Sequence, residues 1–165
     1  MNSLGSRLGS WTLASPDKKA SRKVGETFSK PLVARGAIYG DYDHDGDLDV
    51  LLTSNAGAAH LYRNDGGNKN HRLSVRTVGT KSNKDGIGAV VRIESASGKQ
   101  WNAVRSGSSY ASQSDLALTF GLAQDPMVTS IQVEWPSGTK QKFANVQPNQ
   151  AILIDETKGI VPAAK

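Results

Sequence analysis

Asp41-Tyr42-Asp43-His44-Asp45-Gly46-Asp47-Leu48-Asp49 places five carboxylates in nine residues, and its reading decides how the rest of the chain is organised. The order is D-x-D-x-D-G-x-x-D. A hard dication such as Ca²⁺ takes about six to eight oxygens, and a short loop with this spacing can supply them by curling round the ion. The assignments that follow are side-chain oxygens from Asp41, Asp43 and Asp45, the backbone carbonyl of Asp47 with its side chain turned outward, and Asp49 as the closing ligand. Gly46 permits a sharp turn that a Cβ would obstruct. Without a cation these charges repel one another at short range. Mg²⁺ suits the loop less well, because it prefers a rigid octahedral site that retains several waters. His44 reads as an exposed filler, since hard cations choose oxygen over imidazole.

The flanks say which kind of loop this is. A helical calcium loop of the EF-hand type needs a bidentate Glu at its twelfth position, which here is Leu52. Ala37-Ile38-Tyr39 and Leu48 to Thr53 are apolar and β-compatible, with Gly36 and Gly40 interrupting any helical run. The loop is therefore expected to join two β-strands.

At 165 residues the chain can form one large or two small domains, and it has no cysteine for disulfides, thiol catalysis or thiolate metal sites. The net charge is +5, with seven basic and two acidic side chains in residues 1–40 and thirteen basic and eight acidic in residues 51–165. A nucleic-acid surface would cluster Lys and Arg with interleaved aromatics, which make up only 6% here, so that partner is disfavoured. No apolar run approaches the roughly 20 residues of a membrane helix. Met1 to Lys23 lacks the apolar core of a secretory signal, so the expectation is either a protein that stays inside the cell or a piece whose export signal lies elsewhere.

Along the chain, residues 1–31 read as a basic, Ser- and Gly-rich arm, ordered only where Trp11, Leu13, Val24 and Phe28 dock. Residues 32–66 read as strand, acidic loop, strand, turn, strand: one short antiparallel sheet. Asn64 to Asn70 is almost all turn formers and marks a boundary. Residues 70–156 then offer seven short strands with turn signals every dozen residues, and 157–165 a tail. The expected fold is all-β, a blade-like sheet packed on an antiparallel β-sandwich or barrel. Trp101 and Trp135 sit in strand contexts and are expected in the core.

Two loops of the second unit are candidate ligand sites. One carries Asn83, Lys84 and Asp85; the other carries Ser108, Tyr110 and Gln113. Such a mixture of amide, hydroxyl, charged and aromatic groups can hold a sugar or a peptide, and the same residues also make Asx and Ser turns.

Catalytic signatures are missing. Gly107-Ser-Ser-Tyr-Ala111 fails the nucleophile elbow at its last position, no histidine has a metal-motif partner, and there is no phosphate loop. An acid-pair hydrolase is the remaining enzymatic alternative.

These motifs resemble known families. Gly36 to Val50, followed by His60-Leu-Tyr-Arg-Asn-Asp-Gly66, resembles an FG-GAP or VCBS repeat, the calcium-loop blade of integrin-alpha-like propellers. Val78-Gly-Thr-Lys-Ser-Asn-Lys-Asp-Gly-Ile-Gly-Ala89, Gly107 to Gln113, Phe120-Gly-Leu122 and Val133-Glu-Trp-Pro-Ser-Gly138 resemble the ASPIC/UnbV domain, as in cartilage acidic protein-like proteins. The resemblance implies a non-catalytic module for extracellular or periplasmic interaction with a protein or carbohydrate, with Ca²⁺ on Asp41, Asp43, Asp45, Asp47 and Asp49. A carbohydrate-binding sandwich is the alternative. Only one blade is visible where a propeller needs several, which suggests the C-terminal part of a larger protein.

Overall fold

The computed structural model describes residues 32–161. The expected N-terminal arm lies outside the described residues. Every segment with two-residue alternation became a strand. β1 (Ala34–Gly40), β2 (Asp49–Ser54) and β3 (His60–Tyr62) form an antiparallel sheet in the order β1-β2-β3. A single 3₁₀ turn, Gly67–Lys69, leads into the second unit. That unit contains β4 (His71–Val78), β5 (Val90–Ser95), β6 (Gly98–Ala103), β7 (Leu118–Ala123), β8 (Val128–Glu134), β9 (Lys140–Val146), β10 (Gln150–Asp155) and β11 (Gly159–Val161).

These eight strands make two four-stranded sheets, β11-β10-β4-β7 and β6-β5-β8-β9. The core is the set of side chains that alternation turns inward. Leu73 and Val75 of β4, Ile152 and Ile154 of β10 and Phe120 and Leu122 of β7 come from the first sheet, and Val91, Ile93, Ile131 and Val133 from the second. Full burial of one such aliphatic side chain contributes about 1.5–3 kcal/mol. Trp135 seals one end of the core, and its indole N–H donates to Gln141 Oε1 at 2.8 Å. Gln100 bridges β6 to the Gly121 carbonyl at 2.7 Å, tying the two sheets at one side. Gln141 does the same at the other, donating to the Asp155 and Glu156 carbonyls at 3.0 Å.

Of the two architectures expected for this unit it takes the sandwich, its sheets staying open. The fold differs from the expectation in three respects. β4 and β10 run parallel, with Val75 opposite Ile152, because the long excursion between them allows a crossover and alternation carries no strand direction. The supposed tail contributes β11, which pairs with β10 through Ile154 and Ile160. Trp101 is not in the core: it points outward from β6 and is 59% exposed, whereas Trp135 is 4% exposed as expected.

The small sheet has no sealed core of its own. Ile38, Leu51 and Leu61 are in register on one face, and Tyr39, Val50 and Tyr62 on the other. None of these six is fully buried. Such a small sheet is marginal alone, and its support comes from the sandwich. The Tyr39 N–H donates to Ser114 Oγ at 3.2 Å and its carbonyl accepts from the Asp115 N–H at 3.1 Å, so a sandwich loop caps the β1 edge.

Glu156 closes the end of the sandwich that Trp135 seals. One of its carboxylate oxygens accepts the consecutive N–H groups of Thr80, Lys81 and Ser82 at 2.7–2.8 Å. The other accepts the hydroxyls of Ser82, at 2.9 Å, and Ser137. Burial pushes this carboxyl up, but the Ser137 hydroxyl and the Ser82 and Thr80 amides outweigh it and hold the pKa down at about 2. A carboxyl whose folded pKa is lowered contributes stability that is fully present above its ordinary value and is lost as pH falls towards the folded one. Here that window runs from about 4.5 down to about 2. Glu156→Gln is expected to lower the melting temperature at pH 7 by several degrees and to flatten its decline between pH 5 and pH 2.5, both read by circular dichroism. An acid profile identical to wild type would remove Glu156 as the clamp.

Candidate metal centre

The acidic loop joins β1 to β2 in the small sheet. Asp49, paired with Gly40 across the ladder, is 2% exposed, and its two oxygens accept the Tyr42 N–H at 2.9 Å and the Asn64 N–H at 2.8 Å. These bonds hold the carboxylate beneath the loop. Asp41, directly after β1, and Asp43, in the loop, each bring an oxygen towards it, so that oxygens of Asp41, Asp43 and Asp49 all lie within 4.8 Å of one another. A dication with oxygens at about 2.3–2.6 Å spans roughly twice that distance across its shell, so one calcium-sized ion fits between them. Asp41 Oδ1 is buried and has no hydrogen-bond partner among the described residues. A buried carboxylate oxygen without a donor is costly, and a cation would satisfy it.

The other two carboxylates turn elsewhere. Asp45 accepts the Asp47 N–H at 3.0 Å and the Asn68 side-chain amide at 2.8 Å, so it is not one of the three that converge. Asp47 departs from the expectation of an outward side chain. It is 6% exposed, and its Oδ2 accepts the N–H groups of Gly67 and Asn68 at 2.9 and 3.1 Å. The 3₁₀ turn presents these two amides with no partner of its own to take them, and the glycine lets the carboxylate approach: a Cβ at Gly67 would lie 2.7 Å from that of Asp47. Burial first, and then the neighbouring charges of Asp45 and Asp49, push the Asp47 carboxyl up, against the two amides that pull it down. The loop thus divides into a three-carboxylate cradle and a two-carboxylate clamp on the segment leading to β4.

Gly46 is required twice over. Its φ of +94° belongs to the left-handed region, and a Cβ there would fall inside the guanidinium of Arg72, which lies flat against the glycine from β4. Arg63 sits at the rim, 2.6 Å from Asp65 and 3.9 Å from Asp43. His44 is exposed, as expected, with φ +59°.

The two recognition loops are mostly occupied with their own geometry. The Asn83 side chain bonds both ways to the Ile87 backbone, at 2.7 and 2.8 Å, and braces the turn. The Asp85 carbonyl accepts the Thr77 hydroxyl at 2.8 Å, while Lys84 is exposed. Ser108 shares a hydrogen bond with Ser114 at 2.8 Å, inside the loop that caps β1. Tyr110, 74% exposed, and Gln113 face solvent. Among the described residues no hydrogen bond or ion pair joins the two loops. Sequence reasoning missed Arg72, Asn64 and Asn68. The turn-former run from Asn64 to Asn70 was the available signal, read only as a boundary.

Fold and loop together define an all-β protein in which a short sheet with an acidic loop is mounted on a β-sandwich. Residues 79–161, just over half of the chain, match the ASPIC and UnbV family, and the chain belongs to that family. A comparison with curated proteins finds no match. Among the described residues no helix is long and apolar enough to cross a membrane.

Gly46→Ala is expected to cost about 1–3 kcal/mol in urea unfolding, from the strained φ and the overlap with Arg72. Adding Arg72→Ala removes the overlap and leaves the backbone strain, so the double variant should recover part of that loss beyond the effect of Arg72→Ala alone. Additive losses would show that the guanidinium does not press on the glycine.

Proposed function

We propose that this chain is a non-catalytic interaction module whose acidic loop binds Ca²⁺, working outside the cytoplasm. The observation that carries the reading is the convergence of Asp41, Asp43 and Asp49 oxygens within 4.8 Å, at the join of two antiparallel strands. The same placement supports assigning residues 32–66 to the FG-GAP or VCBS type of blade. An all-oxygen donor set suits a hard cation. The family membership of residues 79–161 supports the partner-binding half of the reading, with a protein or a carbohydrate as ligand.

The physical role of the ion follows from where its ligands sit. Asp41 directly follows β1, Asp49 begins β2 and Asp43 lies between them, so one ion would hold the loop at both strand ends and neutralise charges that otherwise repel. The same loop reaches Gly67 and Asn68 through Asp47 and Asp45. Ordering it would therefore steady the junction between the small sheet and the sandwich.

A ligand that binds only the folded state stabilises by RT ln(1 + [L]/Kd), about 2.7 kcal/mol at a hundredfold excess over Kd. For a chain of this size that is a rise of about 5–10 °C in melting temperature on replacing chelator by calcium. Asp41→Asn is the discriminating variant, because Asp41 Oδ1 has no structural partner to lose. The variant should fold in chelator as well as wild type does and lose most of the calcium response. A wild-type melting temperature indifferent to calcium would refute the metal reading.

A further inference from the structure

Trp101 is the largest apolar side chain that the sandwich leaves outside, and its surroundings are ordered by strand register. It lies opposite Arg92 of β5, Arg92 lies opposite Gln132 of β8, and Gln132 opposite Lys142 of β9. All four are exposed. With strands about 4.8 Å apart, this row runs about 14 Å across one face of the sheet. Two further lysines, Lys99 and Lys140, stand on the same face against two carboxylates, Glu94 and Glu134. Both carboxylates are committed: Glu94 to Lys99 at 3.6 Å, and Glu134 to Arg92 at 2.7 Å and Lys140 at 3.4 Å. Lys142 has no ion-pair partner among the described residues. The face therefore carries an excess of positive charge around one exposed indole.

We propose that the outer face of the β6-β5-β8-β9 sheet binds an acidic polysaccharide, with a uronic acid ring stacked on Trp101 and carboxylates paired with Lys142 and with the Arg92 guanidinium N–H groups that Glu134 does not engage. The inference rests on the reading of the chain as an interaction module and gives that module a ligand class. The row stands on the outer face of an open sheet, where the exposed indole offers a stacking surface. A pyranose ring offers a C–H face to the indole and an exocyclic carboxylate that reaches a cation one strand away. Charge complementarity selects an acidic sugar over a neutral one. A peptide adds along a free strand edge, whereas the row from Trp101 to Lys142 runs across the sheet, strand to strand, on its outer face. Single-stranded nucleic acid is gripped by successive aromatics, and this row has one.

The test is fluorescence polarisation of a labelled oligogalacturonate against the full chain in chelator, with a neutral oligogalactan and an oligothymidylate as comparators. The expected result is binding of the oligogalacturonate alone, at least tenfold weaker for Trp101→Ala and several-fold weaker, with a shallower salt dependence, for Lys142→Gln. Both substitutions are on the surface, and unchanged melting temperatures verify that they fold. The proposal is overturned if wild type does not bind the oligogalacturonate, if Trp101→Ala binds it equally well, or if either comparator competes equally. Concentration-dependent dimerisation abolished by Trp101→Ala would also overturn it, by assigning the face to a second copy. Glycan binding is read without calcium, so its failure is separable from failure of the metal reading.

Discussion

A carboxylate can lie inside a protein only if donors surround it, and this fold depends on main-chain N–H groups to be those donors. The acidic side chains that are buried among the described residues are Asp47, Asp49, Asp125, Asp155 and Glu156. None is paired with a lysine or arginine; each accepts backbone amides instead. Asp49 takes those of Tyr42 and Asn64, Asp47 those of Gly67 and Asn68, and Asp125 that of Ser97. Asp155 takes those of Thr157 and Lys158, and Glu156 a run of three. Every one of these amides belongs to a turn or a linker, where no ladder would satisfy it. The acids therefore hold the irregular segments to the sheets, and the cations are left on the surface, which is why a chain of net charge +5 has an acidic interior.

How legible this was in the sequence depends on how local the signal is. Strand positions and the inward faces of β4 and β5 follow from alternation within a few residues, and a sandwich or barrel follows from the number and spacing of the strands. Strand direction and partner do not, since β10 pairs with β4 across more than seventy residues and either orientation would bury the same side chains. The two tryptophans illustrate the same limit. Trp101 and Trp135 sit in similar strand contexts, and which is buried depends on the phase of the pleat: Gln100 is turned inward to reach Gly121, so its neighbour must face out.

The loops were harder still, because polar turn residues look alike whether they wait for a ligand or bond to themselves. Asn83 and Ser108 bond within their own loops, and the loop holding Ser108 caps the edge of the small sheet. Glu156 was invisible for the opposite reason. Nothing near it in sequence marks a clamp, since its partners are Thr80 to Ser82 and Ser137.

The acidic loop was the most legible feature, and its division of labour was the least. Spacing alone makes side-chain ligands of Asp41, Asp43, Asp45 and Asp49 and turns Asp47 outward, yet the 3₁₀ turn beside them offers amides that compete for the same oxygens. Asp45 and Asp47 answer that competition, and Asp41, Asp43 and Asp49 are left converging. The two groups are joined through Gly46, whose backbone is pressed by Arg72 from the sandwich. Any ion held by the first group would therefore act on a loop already tied by the second. Its effect would be felt where the small sheet meets the sandwich, and the outer face around Trp101, borne by other strands, would keep its shape with the cradle filled or empty.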